Sequence, residues 1–279
     1  MTVQEALQLG ADMLAAVPDP RIDAEWLLCD TLRMRRLMLR LYPAQELTAA
    51  QEARYRDLLR RRAARQPLQY ILGMQEFYGY DMLVDDRVLI PRPETEILCE
   101  RALMSMKNVT SPRIADLCTG SGAIAITLKL GRPDAEVCAT ELSPDALEVA
   151  RENARRNGAE IAFYPGDLLA PLRGRTFDCI VSNPPYIKTG ALNTLQPEVT
   201  REPRMALDGG QDGLVFYRRL AAEAADYLAP GGRILLEFGD GQAEDVQAVF
   251  VAAQRFTDLR IHRDLHGLPR VLEAALTAP

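Results

Sequence analysis

The residue types of Asn183-Pro184-Pro185-Tyr186 suit a pocket for a planar nitrogen. Neither proline has a backbone N–H and each restricts the residue before it, so the turn is stiff and its prolines offer only hydrogen-bond acceptors. The Asn183 side-chain oxygen and the Pro184 carbonyl would accept both N–H bonds of a delocalised NH2 group, while Tyr186 covers its flat face. Glutamine, adenine and cytosine carry such a nitrogen, which is a weak nucleophile. A proline turn that only ends a strand is the alternative for these four residues taken alone.

A glycine-rich segment, 116–125, predicts where the matching electrophile binds. It starts at the end of an apolar run and continues into a helical pattern, so we expect a strand, a turn and a helix. Glu141 ends the next apolar run, where an acidic side chain can bind both hydroxyls of a ribose. The segment therefore predicts a ligand that contains a nucleoside.

Two nucleoside ligands compete for this segment, because Gly120, Gly122 and Ala125 also satisfy the relaxed fingerprint for NAD. Asp116 favours S-adenosylmethionine, since a carboxylate at the mouth of the turn would repel a pyrophosphate and attract an ammonium group. The sulfonium methyl of S-adenosylmethionine is also the electrophile that a weak nitrogen nucleophile requires. The residues predicted to bind this cofactor are Cys118, Thr119, Gly120, Ser121, Gly122, Glu141, Asp167, Leu168 and Asn183.

With these segments the chain resembles the bacterial protein-(glutamine-N5) methyltransferases that act on peptide chain release factors. The resemblance runs nearly end to end, and its most discriminating part is Pro91-Arg92-Pro93-Glu94-Thr95-Glu96, because the Asn-Pro-Pro-Tyr turn also occurs in nucleic-acid methyltransferases. Further segments that carry it are Phe77-Tyr78-Gly79, Glu202-Pro203-Arg204, Ala206-Leu207-Asp208-Gly209-Gly210 and Pro230-Gly231-Gly232. Cys118 stands where glycine is frequent and Glu141 where aspartate is frequent, which we expect to affect cofactor affinity more than activity.

The resemblance implies methyl transfer to the side-chain amide nitrogen, N5, of the glutamine in the Gly-Gly-Gln motif of class 1 release factors. Asn183, Pro184 and Tyr186 would be catalytic, and Asn183, Pro184, Pro185 and Tyr186 would contact the substrate. Phe77 and the segment 91–95 would either line the site or fix the junction between domains.

Two other functions are compatible with the same motifs. The first is methylation of an exocyclic amine of adenine or guanine in a nucleic acid, against which the net charge of −6 argues. The second is a cofactor-binding scaffold without catalysis, against which the intact Asn183 and glycines argue. We therefore expect a protein partner and no direct nucleic-acid binding.

Apolar runs alternate with helical patterns from Arg92 onward, which is typical of an α/β, doubly wound, mostly parallel sheet. A final pair of apolar runs, 256–261 and 270–275, predicts an antiparallel hairpin that closes a seven-stranded class I S-adenosylmethionine-dependent methyltransferase fold. Strands are predicted near Ile114, Val137, Ile161, Ile180 and Ile234, and helices near Ala123, Pro144, Gly213 and Ala243. The predicted site residues lie at the carboxyl ends of these strands, where such sheets bind ligands.

The predicted domains are a helical substrate-docking domain at 1–70, a β-hairpin linker at 71–91 and the catalytic domain at 92–279. The first 70 residues hold eleven arginines and no lysine against nine acidic residues, and six of the arginines lie between 54 and 65. This helix is predicted either to dock the substrate or to be a solvated face. Capping boxes are expected at Thr2 to Glu5 and Thr48 to Gln51.

Composition favours an intracellular enzyme, and we expect a cytoplasmic location and a monomer. There is no apolar run of membrane-spanning length and no basic start followed by an apolar stretch, so neither a membrane span nor a secretory signal is expected. The five cysteines are scattered and are predicted to be reduced thiols. His262 and His266 could share a helix face but have no cysteine motif nearby, so we predict no metal.

Overall fold

The computed structural model describes residues 1–277, and the chain divides into two compact units. One unit comprises Met1–Met74 together with Gln196–Arg201, and the other comprises Gln75–Leu195 and the chain from Glu202 onward. The elements in chain order are α1 Val3–Met13, α2 Pro20–Leu32, α3 Arg36–Leu41, α4 Ala49–Ala63, α5 Leu68–Leu72, β1 Met74–Phe77, β2 Tyr80–Leu83, α6 Thr95–Ser105, β3 Arg113–Leu117, α7 Ala123–Gly131, β4 Glu136–Glu141, α8 Pro144–Asn157, β5 Ala162–Pro165, β6 Phe177–Ser182, α9 Val215–Glu223, β7 Leu228–Glu237, α10 Ala243–Ala253, β8 Phe256–Arg263 and β9 Pro269–Leu276.

Both predicted capping boxes are present in the helical unit. The Thr2 hydroxyl accepts from the Glu5 N–H at 3.3 Å, and the Glu5 carboxylate accepts from the Thr2 N–H at 2.8 Å. Thr48 and Gln51 form the same pair of bonds at the start of α4. These bonds satisfy backbone donors that the first helical turn leaves free, so they fix where α1 and α4 begin.

A short segment from late in the chain, Gln196–Arg201, belongs to the helical unit, which no sequence pattern indicated. Its Glu198 accepts from Arg65 Nε at 2.7 Å and Nη2 at 2.6 Å, and from Arg62 Nη1 at 2.7 Å. Arg62 also donates to Asp23 at 2.6 Å and is only 6% exposed. Burial alone would raise the pKa of Glu198, but hydrogen bonds from Arg65 and Arg62 lower it to about 2. A cluster of charges, in which Arg62 and Asp23 are buried, therefore holds this segment.

The second unit contains the predicted seven-stranded sheet, in the order β5-β4-β3-β6-β7-β9-β8. Strands β3 to β7 pair in parallel, and β9 is antiparallel to both β7 and β8. The predicted strands, the helices between them and the closing hairpin are thus confirmed. The predicted helix face for His262 and His266 is wrong, because His262 lies in β8 and His266 in the turn that follows.

Alternate residues of the central strands face two hydrophobic cores. On β6, Ile180 packs into one core with α9 and α10, while Cys179 and Val181 pack into the other with α6 and α7. Because the chain proceeds outward from β3 to β5 and then returns to β6 on the other side of β3, the strand order reverses there. A crevice at the carboxyl ends of β3 and β6 follows from this reversal.

Within residues 1–277, none of the helices combines the length and the apolar character needed to cross a membrane.

Candidate active site

Asn183 follows directly on β6, and its side chain is held by a neighbouring helix. The Asn183 amide Nδ2 donates to the hydroxyl of Thr95, the first residue of α6, at 3.1 Å. Since an amide carries its oxygen opposite to its nitrogen, this bond leaves Oδ1 directed away from Thr95. The amide therefore has a defined orientation, as a group that selects a substrate nitrogen requires.

The chain after the Asn-Pro-Pro-Tyr turn is clamped against a later segment. The Ile187 N–H donates to the Leu207 carbonyl at 2.9 Å, and the Ile187 carbonyl accepts from the Gly209 N–H at 2.8 Å. A Cβ at Gly209 would lie 2.7 Å from the Tyr186 Cα, so only glycine permits this approach. This contact explains why a glycine follows Asp208 in the segment 206–210.

The glycine turn between β3 and α7 is built from left-handed residues. Gly120 and Gly122 have φ of 54° and 84°, and a Cβ at Gly122 would lie 3.2 Å from that of Ala150. Cys118 has φ of 57°, a region that favours glycine, which gives a physical reason for the glycine that the resemblance leads us to expect at this position. The buried Asn153 of α8 supports the turn by donating to the Ser121 carbonyl at 2.9 Å.

Glu141, at the end of β4, faces the glycine turn. One carboxylate oxygen accepts from the Gly120 N–H at 3.0 Å and the other from the Ser143 N–H, also at 3.0 Å. Each oxygen keeps lone-pair capacity for a further donor, because a carboxylate offers about four acceptor sites. The two backbone bonds therefore orient Glu141 while leaving it able to accept from a ligand.

The prediction that Asp116 stands at the mouth of the turn is wrong. Its side chain is fully buried, and Oδ2 accepts from the Thr119 hydroxyl at 2.5 Å and the Ala125 N–H at 3.2 Å. Burial raises the pKa of Asp116 to about 7, against the effect of these two hydrogen bonds. The Asp116 side chain therefore stabilises the turn from the protein interior, and it does not lie where it could repel a pyrophosphate.

Most of the predicted site residues line one cavity at the carboxyl ends of the strands. Those that line it are Cys118, Thr119, Gly120, Ser121, Glu141, Asp167, Leu168, Asn183 and Pro185. Gly122, Pro184 and Tyr186 do not line it. The Tyr186 ring packs instead against the core beside α9 and α10, close to the backbone of Gly239. Its predicted role over the substrate amide stays a prediction.

Two segments that carried the resemblance meet in an ion pair at this cavity. Arg92 lines it and donates to Glu202, whose carboxylate also accepts from the Ile90 N–H at 3.1 Å. Glu202 is 5% exposed, and this burial raises its pKa. Pro91 and Thr95 also line the cavity, whereas Phe77 is buried in the core of the second unit. The alternative that Phe77 lines the site is therefore wrong.

Several lining residues were not predicted from the sequence. They are Arg87, Val88, Leu89, Ala123, Ile124, Leu142, Ser143, Ala146, Gly166, Pro203, Met205, Ala206 and Phe216. Leu142 and Ser143 adjoin Glu141, Gly166 adjoins Asp167 and Ala123 adjoins Gly122, so proximity to a predicted residue could have indicated these four. Phe216, in α9, carries no such signal, because only the fold brings that helix to the cavity.

Asp167 has a fixed partner at the edge of the cavity. Its two oxygens accept from Arg219 Nη1 at 3.1 Å and Nη2 at 2.8 Å. This two-point contact orients the carboxylate more strictly than a single bond would, because the guanidinium is planar. Glu141 and Asp167 thus give the cavity two oriented carboxylates.

Comparison with known proteins places the same two units in named families. Residues 5–73 match the family model described as the PrmC N-terminal domain, and residues 95–228 match the model described as the methyltransferase small domain. The chain is 43% identical over 274 residues to the release factor glutamine methyltransferase of Geobacter sulfurreducens, covering 97% of this chain and 95% of the relative. It is 45% identical to the protein of the same name from Deinococcus radiodurans, covering 93% and 92%.

Among solved structures, a methyltransferase from Pyrococcus furiosus is similar with a TM-score of 0.53 at 20% identity, covering 71% of this chain and 90% of that one. At this identity the likeness shows the fold alone.

Proposed function

The chain belongs to the release factor glutamine methyltransferase family, and on that premise we propose that it transfers a methyl group from S-adenosylmethionine to a glutamine side-chain nitrogen, N5. The proposed glutamine is that of the Gly-Gly-Gln motif in class 1 release factors. One observation supports this above the others: the oriented amide of Asn183 lines the same cavity as Glu141 and the glycine turn. On this proposal the acceptor site and the cofactor site lie within one cavity.

The residues of the cavity fit S-adenosylmethionine. Glu141 retains acceptor capacity for a ribose diol and provides negative charge towards a cationic ligand, whereas Arg219 balances the charge of Asp167. Membership of a methyltransferase family, and not the charge of the cavity, favours S-adenosylmethionine over NAD. When bound, the cofactor supplies the electrophilic methyl carbon.

The chain's own residues position the nitrogen rather than activate it. We propose that the Asn183 Oδ1 and the Pro184 carbonyl accept the two N–H bonds of the glutamine amide, so that its lone pair faces the methyl group. The contribution of Pro184 stays a prediction, because Pro184 does not line the cavity. These acceptors stabilise the positive charge that develops on the nitrogen during transfer. A general base is not required, since the nitrogen can release its proton during or after transfer.

Replacing Glu141 with alanine is expected to weaken cofactor binding by about 1.5–3 kcal/mol, or roughly tenfold or more in affinity, because hydrogen bonds to a charged acceptor are lost. The Gly120 and Ser143 N–H groups also lose their acceptor. Calorimetric titration with S-adenosylmethionine measures the effect. Glu141→Asp should keep most of the affinity, and the exposed Glu160→Ala is the matched control. An unchanged affinity in Glu141→Ala would refute the ribose assignment.

We propose that the substrate is a protein, that no nucleic acid is bound directly, and that the enzyme is a cytoplasmic monomer. The test offers release factor, duplex DNA and ribosomal RNA in parallel with labelled S-adenosylmethionine. Label should enter release factor only. Label in either nucleic acid, with none in release factor, would instead favour an exocyclic-amine methyltransferase.

We also propose that the helical unit docks release factor through exposed arginines of α4. Arg62 is buried in the charge cluster with Glu198, so it is unsuited to this role, whereas Arg56 and Arg60 are exposed and pair only within α4. Arg56→Glu with Arg60→Glu should raise the KM for release factor about three- to tenfold and leave cofactor affinity unchanged.

The matched control reverses two exposed arginines of the other unit, Arg151 and Arg173, to glutamate. Equal KM values for the Arg56/Arg60 variant and the wild type would show that α4 is a solvated face.

A further inference from the structure

A buried polar side chain lies behind Asn183. Glu237 ends β7, and because Ser182 of β6 is in register with Leu236, Asn183 and Glu237 occupy neighbouring positions at the carboxyl ends of adjacent strands. Glu237 is 2% exposed and Thr95 is 4% exposed, and the Oε2 atom of Glu237 has no hydrogen-bond partner among the described residues. A buried carboxylate with a free oxygen lowers stability, so its presence calls for another role.

Thr95 connects Glu237 to Asn183. The Thr95 oxygen accepts from Asn183 Nδ2 at 3.1 Å, and a hydroxyl has a single proton to donate. Burial raises the pKa of Glu237 to about 7, and side-chain hydrogen bonds from Thr95 and Asn183 oppose this effect. The three groups thus form a directed network, in which Asn183 donates to Thr95 and both Asn183 and Thr95 donate to Glu237.

This direction determines which end of the Asn183 amide faces the cavity. Because Glu237 accepts the single hydroxyl proton of Thr95, the Thr95 oxygen can only accept a hydrogen bond from the Asn183 amide. It therefore binds the NH2 group of that amide and not the amide oxygen. Without the carboxylate, the hydroxyl could turn and donate to Oδ1, which would present the NH2 group to the substrate. An NH2 group cannot accept from the glutamine nitrogen.

We propose that Thr95 and Glu237 are positioning residues for the methyl transfer, which keep Oδ1 of Asn183 directed at the substrate nitrogen. This inference rests on the proposed function. Glu237 acts through Thr95 and through its own hydrogen bond from Asn183, and it does not line the cavity.

The first test compares Thr95→Val, which removes the hydroxyl at nearly constant shape, with Thr95→Ser, which keeps it. Turnover with release factor should fall about tenfold in Thr95→Val, with unchanged cofactor affinity, and Thr95→Ser should restore most of it. Thr127→Val is the matched control, because Thr127 is also buried and its hydroxyl has no partner among the described residues. In an Asn183→Ala background, Thr95→Val should cause no further loss.

The second test uses Glu237→Leu and Glu237→Gln. Glu237→Leu replaces a buried charged group with an apolar side chain of similar size. The melting temperature of this variant should therefore be no lower than that of the wild type, whereas its turnover should be about tenfold slower. Glu237→Gln keeps an acceptor for Thr95 and should retain most of the turnover. A purely structural role would instead make stability and turnover fall together.

Wild-type turnover in both Thr95→Val and Glu237→Leu would overturn the positioning role while leaving the proposed function intact. The positioning role is equally overturned if Thr95→Val reduces turnover by the same factor with and without Asn183. A wild-type enzyme that binds S-adenosylmethionine but does not methylate release factor would overturn both. Should Thr95→Val not fold, the two Glu237 variants alone test the positioning role.

Discussion

Asn183→Ala is expected to lower turnover with release factor by on the order of 10²-fold or more, while cofactor affinity changes little. The variant removes an oriented acceptor that acts in the transition state, a loss that typically costs roughly 3–4 kcal/mol. Single-turnover kinetics with saturating S-adenosylmethionine measures the rate, and calorimetry measures the affinity. The exposed Asn108→Ala is the matched control. A folded Asn183→Ala enzyme that binds cofactor and methylates release factor at the wild-type rate would show that the Asn-Pro-Pro-Tyr turn is not part of the active site.

Asn183→Asp is the sharper variant at this position. It retains an acceptor oxygen but loses the NH2 group that donates to Thr95, and it places a second carboxylate beside Glu237. Two buried carboxylates disfavour each other's ionisation. We therefore expect a loss close to that of Asn183→Ala. Tyr186→Phe should be mild, because the hydroxyl has no assigned role.

Arg62→Met is expected to destabilise the helical unit by about 3 kcal/mol or more. Arg62 is 6% exposed and lies between Asp23 and Glu198, so its removal leaves Asp23 buried without this cation. Removing one partner of a buried ion pair typically costs about 3–5 kcal/mol, because the remaining charge is uncompensated.

The effect of Arg62→Met on the helical unit can be followed by fluorescence, because the single tryptophan, Trp26, lies in α2 of that unit. Urea unfolding followed by its fluorescence reports the stability of that unit. Arg60→Met is the control on the same helix: Arg60 and its partner Asp57 are both exposed, and such pairs contribute about 0–1 kcal/mol. Equal unfolding free energies for the two variants would show that the charge cluster does not stabilise the unit.

The sheet was predictable because its strands are apolar runs and its helices have apolar spacing, both of which are local signals. Glu141 and the glycine turn were predictable for a related reason, since each follows a strand and the parallel arrangement brings strand ends together. Asp116 shows the limit of this reasoning. It also ends a strand, but whether a side chain at that point faces the cavity or the interior depends on packing around it, and the structure buries it completely.

Contacts between residues far apart in sequence were not predictable. Glu198 lies more than 130 residues from Arg62 and Arg65, and no local pattern marks it as their partner. From the sequence alone, Glu237 is an ordinary residue at the end of a strand. Its proximity to Thr95 appears only when β6, β7 and α6 are packed together. An arginine-rich helix likewise cannot reveal which of its arginines are buried.

The central claim is tested most directly by locating the methyl group. Release factor is incubated with the wild-type enzyme and S-adenosylmethionine, digested, and the peptide that carries Gly-Gly-Gln is fragmented in a mass spectrometer. We predict one methyl group on the glutamine side chain, absent when the cofactor is omitted. An unmodified glutamine, or a methyl group on another residue of release factor, would contradict the proposed function.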